Sequence, residues 1–135
     1  FRERVWQQPE EHKEEQDTYE QFLVKKDVQF IEKIHQVIEE NLDNSDFNID
    51  TIASTIGLSR SAFFKKLKSL TGFAPVDLVK EIRLNKSIEL IKNSDMSISE
   101  IAFAVGFKDS GYFSKCFRKK YDQTPREYMN EWRKG

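Results

Sequence analysis

One cysteine, three prolines and five glycines are all that the 135 residues hold of the types that staple, break or loosen a chain. The lone Cys116 excludes an internal disulfide and fits a reducing compartment. Scarce Gly and Pro beside many Lys, Glu, Ile and Leu favour helices over a sheet. No apolar run approaches the roughly 18–20 residues of a membrane span, and nothing resembles a secretion signal, so no membrane contact by this stretch is expected. His12 and His35 stand apart, with no Cys or carboxylate at metal-ligand spacing, and no cofactor is expected. Catalysis finds no support either: there is no His–Ser–Asp order, Gly-rich phosphate loop or paired-carboxylate motif, and Cys116 reads as packing rather than nucleophile. Hydrophobic residues, by contrast, make up 38%, with 11 Phe among them, ample for packed cores. Phe1 is not an initiator, so the chain reads as part of something longer.

Net charge is −1, which by itself argues against a polyanionic partner. Its distribution reverses that. Residues 1–24 hold three basic and seven acidic side chains, and residues 25–56 again three and seven. Residues 57–135 hold sixteen basic and nine acidic ones. The C-terminal part is therefore able to attract phosphate while the N-terminal part repels it.

Residues 1–26 read as a charged linker with helical tendency, containing Trp6, Pro9, Tyr19, Phe22 and Leu23. Asp27 is a candidate N-cap for a helix with Phe30, Ile31, Ile34, Val37, Ile38 and Leu42 at helical spacing, ending near residues 41–44. Asn48 caps a short helix that buries Ile49, Ile52, Ala53 and Ile56 and stops at Gly57. Ser59 starts the next, which buries Phe63, Leu67 and Leu70 and stops at Gly72. Pro75 opens a longer helix to about Lys92, with Val76, Val79, Ile82, Ile88 and Ile91 as its apolar positions. Ser97 and Glu100 spell a capping box for a helix to Val105. A helix from Asp109 to Tyr121 and a last one from Pro125 follow, with Tyr128 and Trp132 closing a second core. The fold expected is all-α, with about seven helices.

Two of these segments repeat. Ile49, Ile52, Ala53, Ile56 and Gly57 match Ile98, Ile101, Ala102, Val105 and Gly106 at an offset of 49 residues. From the next helix the offset is 50, pairing Ser59 with Asp109, Phe63 with Phe113, Lys65 with Lys115, Leu67 with Phe117, Lys68 with Arg118 and Pro75 with Pro125. The second turn thus holds one extra residue. A helix, a Gly-centred turn and a second helix packed through a small Ala describe a helix-turn-helix unit. Burying Phe63 and Leu67, or Phe113 and Phe117, fixes which face of the second helix points outward. In the first copy that face shows Arg60, Ser61, Phe64, Lys65 and Lys68. In the second it shows Ser110, Gly111, Ser114, Lys115 and Arg118, with Lys119 and Lys120 beside them. Basic faces with small residues at their N-terminal ends suit insertion into a major groove of double-stranded DNA. The connecting helix, about 18 residues at 1.5 Å rise, separates the copies by a distance compatible with one DNA turn.

In this reading Lys65 and Lys115 reach guanine edges, while Lys68, Arg118 and Lys119 hold phosphates. The N-termini at Asn48 and Ser97 offer further phosphate sites. Phe64 either packs on a thymine methyl or folds back onto Arg60 or Lys68. The rival reading is a helical adaptor whose basic faces dock an acidic protein. Domain boundaries follow: a first helix-turn-helix subdomain at 27–74, the connecting helix at 75–94 and a second subdomain at 95–135.

The stretch Ile98-Ser99-Glu100-Ile101-Ala102 through Gly106-Phe107, then Tyr112–Lys119 and Thr124-Pro125-Arg126-Glu127-Tyr128, resembles the DNA-binding domain of the AraC/XylS family of transcription regulators. Leu58-Ser59-Arg60-Ser61, Leu70-Thr71-Gly72 and Arg83-Leu84 also fit, so the resemblance spans roughly residues 27–130. Asp122 stands where that family often has Gly, and Asp tolerates the left-handed conformation. The segment from Lys26 to Ile34, with Asn41-Leu42 and Asp46-Phe47, is similar to the output domain of hybrid two-component regulators. That resemblance implies a transcription regulator, an activator by expectation; the unequal turns and base-facing side chains of the two copies add that its DNA site is asymmetric. The resemblance further implies an upstream receiver or sensor domain, RNA polymerase as a further partner, and homodimerisation through upstream regions. It also implies a cytoplasmic location, with membrane anchoring only through a sensor elsewhere in the full protein.

Overall fold

In the computed structural model, which describes residues 10–133, seven helices follow one another and no strand forms among the described residues. They are α1 (Glu10–Glu40), α2 (Ile49–Ile56), α3 (Arg60–Thr71), α4 (Pro75–Asn93), α5 (Ile98–Ala104), α6 (Ser110–Tyr121) and α7 (Pro125–Trp132). Trp6 and Pro9 lie outside the described residues. The chain divides into two units, Phe1–Ile34 and His35–Gly135.

The first unit contains most of α1, which begins at Glu10 rather than at Asp27. Asp27 therefore sits inside the helix and caps nothing. The reason is local: from Glu10 onward the stretch holds helix formers and neither Gly nor Pro to stop them. Tyr19, Phe22, Leu23, Val24 and Val28 are exposed here, and the Lys26 ammonium stands 5.6 Å from the Phe22 ring centroid.

In the second unit the helix starts are written in the side chains. Asn48, Ser59, Ser97, Asp109 and Thr124 each accept a backbone N–H from the first turn they open. Two are reciprocal boxes: Ser97 with Glu100, as expected, and Thr124 with Glu127, a Thr-x-x-Glu signal that the sequence reading passed over. Several helix stops take the left-handed conformation. Gly57 adopts φ 88°, Gly106 φ 94° and Asp122 φ 62°.

Packing is pairwise. α2 lies on α3 and α5 on α6, while α4 touches α3, α5 and α7. Phe63, Leu67, Ile101, Phe113 and Phe117 have no exposed surface at all. Truncating any of these phenylalanines to Ala removes on the order of 3–5 kcal/mol. The aromatic side chains of the second half form a file, Phe107–Phe113–Phe117–Tyr128, with centroid spacings of 5.2, 5.8 and 5.8 Å.

The apolar positions of α4 are not all buried, because helices cover it on more than one side and polar residues share the covered faces. Leu78, Ile82, Arg83, Leu84, Ser87 and Ile91 are the buried residues after Pro75, whereas Val76 is exposed and Val79 and Ile88 are half-buried. Leu70 is likewise exposed. Trp132 is 54% exposed rather than closing the second core, and it lies flat under the Lys92 ammonium at 4.3 Å.

Candidate nucleic-acid interface

The first outward face is set by a short turn. The Leu58 N–H donates to the Ala53 carbonyl at 2.9 Å, and Ser59 Oγ accepts the Ala62 N–H at 3.1 Å. With Phe63 and Leu67 locked inward, Arg60, Ser61, Phe64, Lys65 and Lys68 are all exposed on α3. Arg60, Ser61, Phe64 and Lys65 line one shallow depression. Arg60 Nη1 stands 3.4 Å from Asp50 Oδ1, with both side chains about two-thirds exposed (68% and 65%), so water screens the pair and leaves Arg60 free to turn elsewhere. Phe64 is 46% exposed, open to an apolar contact.

On α6, Asp109 Oδ1 accepts the Gly111 N–H at 2.9 Å and fixes the first turn. Gly111, Lys115, Arg118 and Lys119 are exposed, while Ser110 and Ser114 are half-buried. Lys120 does not join this face. Its ammonium donates to Glu81 and, at 2.9 Å, to Asn85 Oδ1, binding α6 to α4 instead. Tyr121 donates to the same Asn85 oxygen at 3.0 Å, and burial, with Glu81 and Tyr128 adding to it, pushes its phenol up to about 12.

The expected phosphate site at Ser97 needs correcting. Its backbone N–H already donates to Glu100 Oε1 at 2.8 Å, and that carboxylate places negative charge where a phosphate would approach. Glu100 is held below the ordinary carboxylate range by these same bonds from Ser97.

Of two residues missed by the sequence reading, one holds the copies together and the other only pairs across them at the surface. Arg83, on α4, is only 7% exposed; its Nη1 donates to the Gly106 carbonyl and its Nη2 to the Asn44 carbonyl at 3.3 Å. Burial lowers its ordinary value, the expected effect of desolvating a cation. Lys108, in the longer second turn, pairs with Asp46 at 3.1 Å. The signal for Lys108 was present as the one-residue change of offset. For Arg83 there was none beyond its fit to the resemblance, since a buried arginine looks polar in any hydrophobic pattern.

Between these parts lies a cavity of about 530 Å³ whose lining includes Asp50, Arg60, Val76, Lys80, Arg83 and Tyr112. Lys80 is raised above the usual lysine value chiefly by the neighbouring Tyr112 hydroxyl, and its ammonium stands 5.7 Å from the centroid of that ring, in the first turn of α6. Among the described residues no group of His, Cys, Asp and Glu is placed to hold a metal ion, and no helix is long and apolar enough to cross a membrane.

A family of helix-turn-helix domains matches residues 52–131, the span from the buried face of α2 to the last turn of α7. The chain belongs to the AraC-type helix-turn-helix family. Members of this family are DNA-binding transcription regulators. The C-terminal domain of the two-component response regulator yesN from Fusobacterium nucleatum is 31% identical, with a TM-score of 0.66, over 73% of this chain and 95% of that one. The DNA-binding domain of AdpA, solved in complex with a target DNA, is 28% identical with a TM-score of 0.71, over 78% and 93%. A curated relative, histidine kinase P4 of Formosa agariphila, is 38% identical over 106 residues, 78% of this chain. The chain spans 8% of that kinase's length.

Proposed function

We propose that the chain binds one asymmetric site on double-stranded DNA, with α3 and α6 entering successive major grooves. What carries the reading is the pair of exposed basic faces, on α3 and α6, each set by its own capped turn and both joined through α4. Lys65 and Lys115 stand at equivalent exposed positions and reach base edges, with Arg60, Ser61, Phe64, Ser110, Gly111 and Ser114 shaping the approach. Lys68, Arg118 and Lys119 hold phosphates and supply salt-dependent affinity. Residues 27–74 and 95–135 act as the two reading subdomains and residues 75–94 as their connector.

In the full protein this part serves as the output domain of a two-component regulator that activates transcription. The likeness to the yesN response regulator and to the kinase supports that role. A receiver or sensor lies upstream, homodimerisation runs through upstream regions, and RNA polymerase is the further partner.

Selection of bound duplexes from a random library is expected to return one consensus with two unlike halves. Lys65→Ala with Lys115→Ala is expected to abolish that selectivity in a gel shift. A protein that enriches no consensus, or a double variant that binds like the wild type, would overturn the reading in favour of an adaptor for acidic proteins.

A further inference from the structure

Reading two grooves at once depends on the separation and rotational phase of α3 and α6, and beyond the bonds of Lys120 and Tyr121 to α4 the base-facing residues of neither recognition helix set them. We infer that Arg83 and Gly106 form a seam that fixes this phase and thereby determines which spacing between half-sites the chain accepts; the inference rests on the DNA-reading function proposed above.

Three observations meet at the seam. One guanidinium on α4 donates to the Asn44 carbonyl, just ahead of α2, and to the Gly106 carbonyl, in the turn between α5 and α6. Its planar fork holds the two carbonyls in a fixed relation, which a flexible ammonium cannot reproduce. Gly106 is then required twice over. It takes φ 94°, and a Cβ there would collide with the Leu42 carbonyl oxygen and the Arg83 guanidinium. Gly57, its counterpart in the first copy, shares the left-handed φ but has nothing within 4 Å of a built Cβ. Finally, the residue by which the second turn is longer brings Lys108 to Asp46 on the same line of contact, an exposed pair (68% and 83%) that water screens and that marks the seam rather than holding it. Leu42, Asn44 and Asp46 thus face Gly106 and Lys108 across Arg83.

The two copies therefore differ by design of their turns: one turn only reverses the chain, while the other also clamps it. Two linked readers gain from each other only where their geometry matches the site. Loosening the clamp leaves each helix's own contacts intact and broadens the spacings tolerated. Arg83 and Gly106 are positioning residues, since neither lies on a recognition helix.

The test uses the intact chain and a consensus duplex chosen from a random library. Duplexes with one base pair removed or added between the half-sites change separation and phase together. The wild type is expected to lose about tenfold or more in affinity for either change. Gly106→Ala and Arg83→Lys are expected to shrink that ratio to about threefold or less, with the helical circular dichroism spectrum and single-half-site binding unchanged. Gly57→Ala, which strains φ in open space, is expected to keep the wild-type ratio. Should either Arg83→Lys or Gly106→Ala fail to fold, the other decides alone against the wild type and Gly57→Ala. The seam is refuted if Gly106→Ala keeps the wild-type spacing profile, if Gly57→Ala flattens it equally, or if the wild type binds its consensus without spacing preference. A wild type that selects no consensus instead refutes the DNA-reading proposal beneath it.

Discussion

Asp122 closes α6 at φ 62°, and it is the one non-glycine residue with positive φ among those described. An Asp pays less than most residues for this conformation, because its short polar side chain satisfies nearby backbone. Asp122→Ala should therefore lose about 1 kcal/mol, while Asp122→Gly should stay within about 0.5 kcal/mol of the wild type. Urea melts at neutral pH distinguish these outcomes, and equal loss in both would show that φ is not what the position selects. At the same scale, Lys65 and Lys120 illustrate how little charge alone says. Both are lysines on paired helices, yet one is exposed on the outer face and the other is spent on Glu81 and Asn85.

Helices here are held at their starts. Glu100 and Glu127 both accept backbone N–H bonds, from Ser97 and Thr124, and both are held below the ordinary value of 4.5. A carboxylate whose value falls on folding stabilises the fold above its unfolded value, and that contribution disappears as pH drops through the folded one. The melting temperature should accordingly fall as pH goes from 5 towards about 3. In the Glu100→Gln, Glu127→Gln double variant the fall should be shallower, with the gap to wild type widest at neutral pH and nearly closed at low pH. A constant gap across the range would rule out the capping carboxylates as its source. The Ser97–Glu100 box was legible because its spacing is local. Thr124–Glu127 carries the same spacing and is equally legible. The start of α1 was misplaced for the opposite reason: Asp27 is a good cap by type, but nothing upstream ended the helix it was meant to begin.

For the molecule as a whole, the proposed site is directional, since the readers share little beyond a lysine. Inverting one half of the selected consensus, at unchanged spacing, is expected to cost about tenfold or more in affinity. A symmetric response would mean that one helix does all the reading. Neutralising Lys68, Arg118 and Lys119 should weaken binding to all sequences alike and lower the salt slope by roughly one per residue. Measured titrations at several salt concentrations separate this from the loss of selectivity expected at Lys65 and Lys115.

By itself the sequence determined seven helices and the outward basic faces, which follow from spacing within roughly fifteen residues of chain, and the repeated turn, which follows from comparing two such local patterns. The family was legible from the same local pattern. Burial around α4 was decided only by tertiary structure, since a helix covered on several sides has no single stripe to read. So was the role of Arg83, whose partners lie 23 and 39 residues away along the chain. That the two copies differ by one residue in their turns is visible in the sequence as a shift of offset from 49 to 50. What that residue does, carrying Lys108 to Asp46 beside a guanidinium that joins both copies, required the fold, because contacts across the chain leave no period in the sequence.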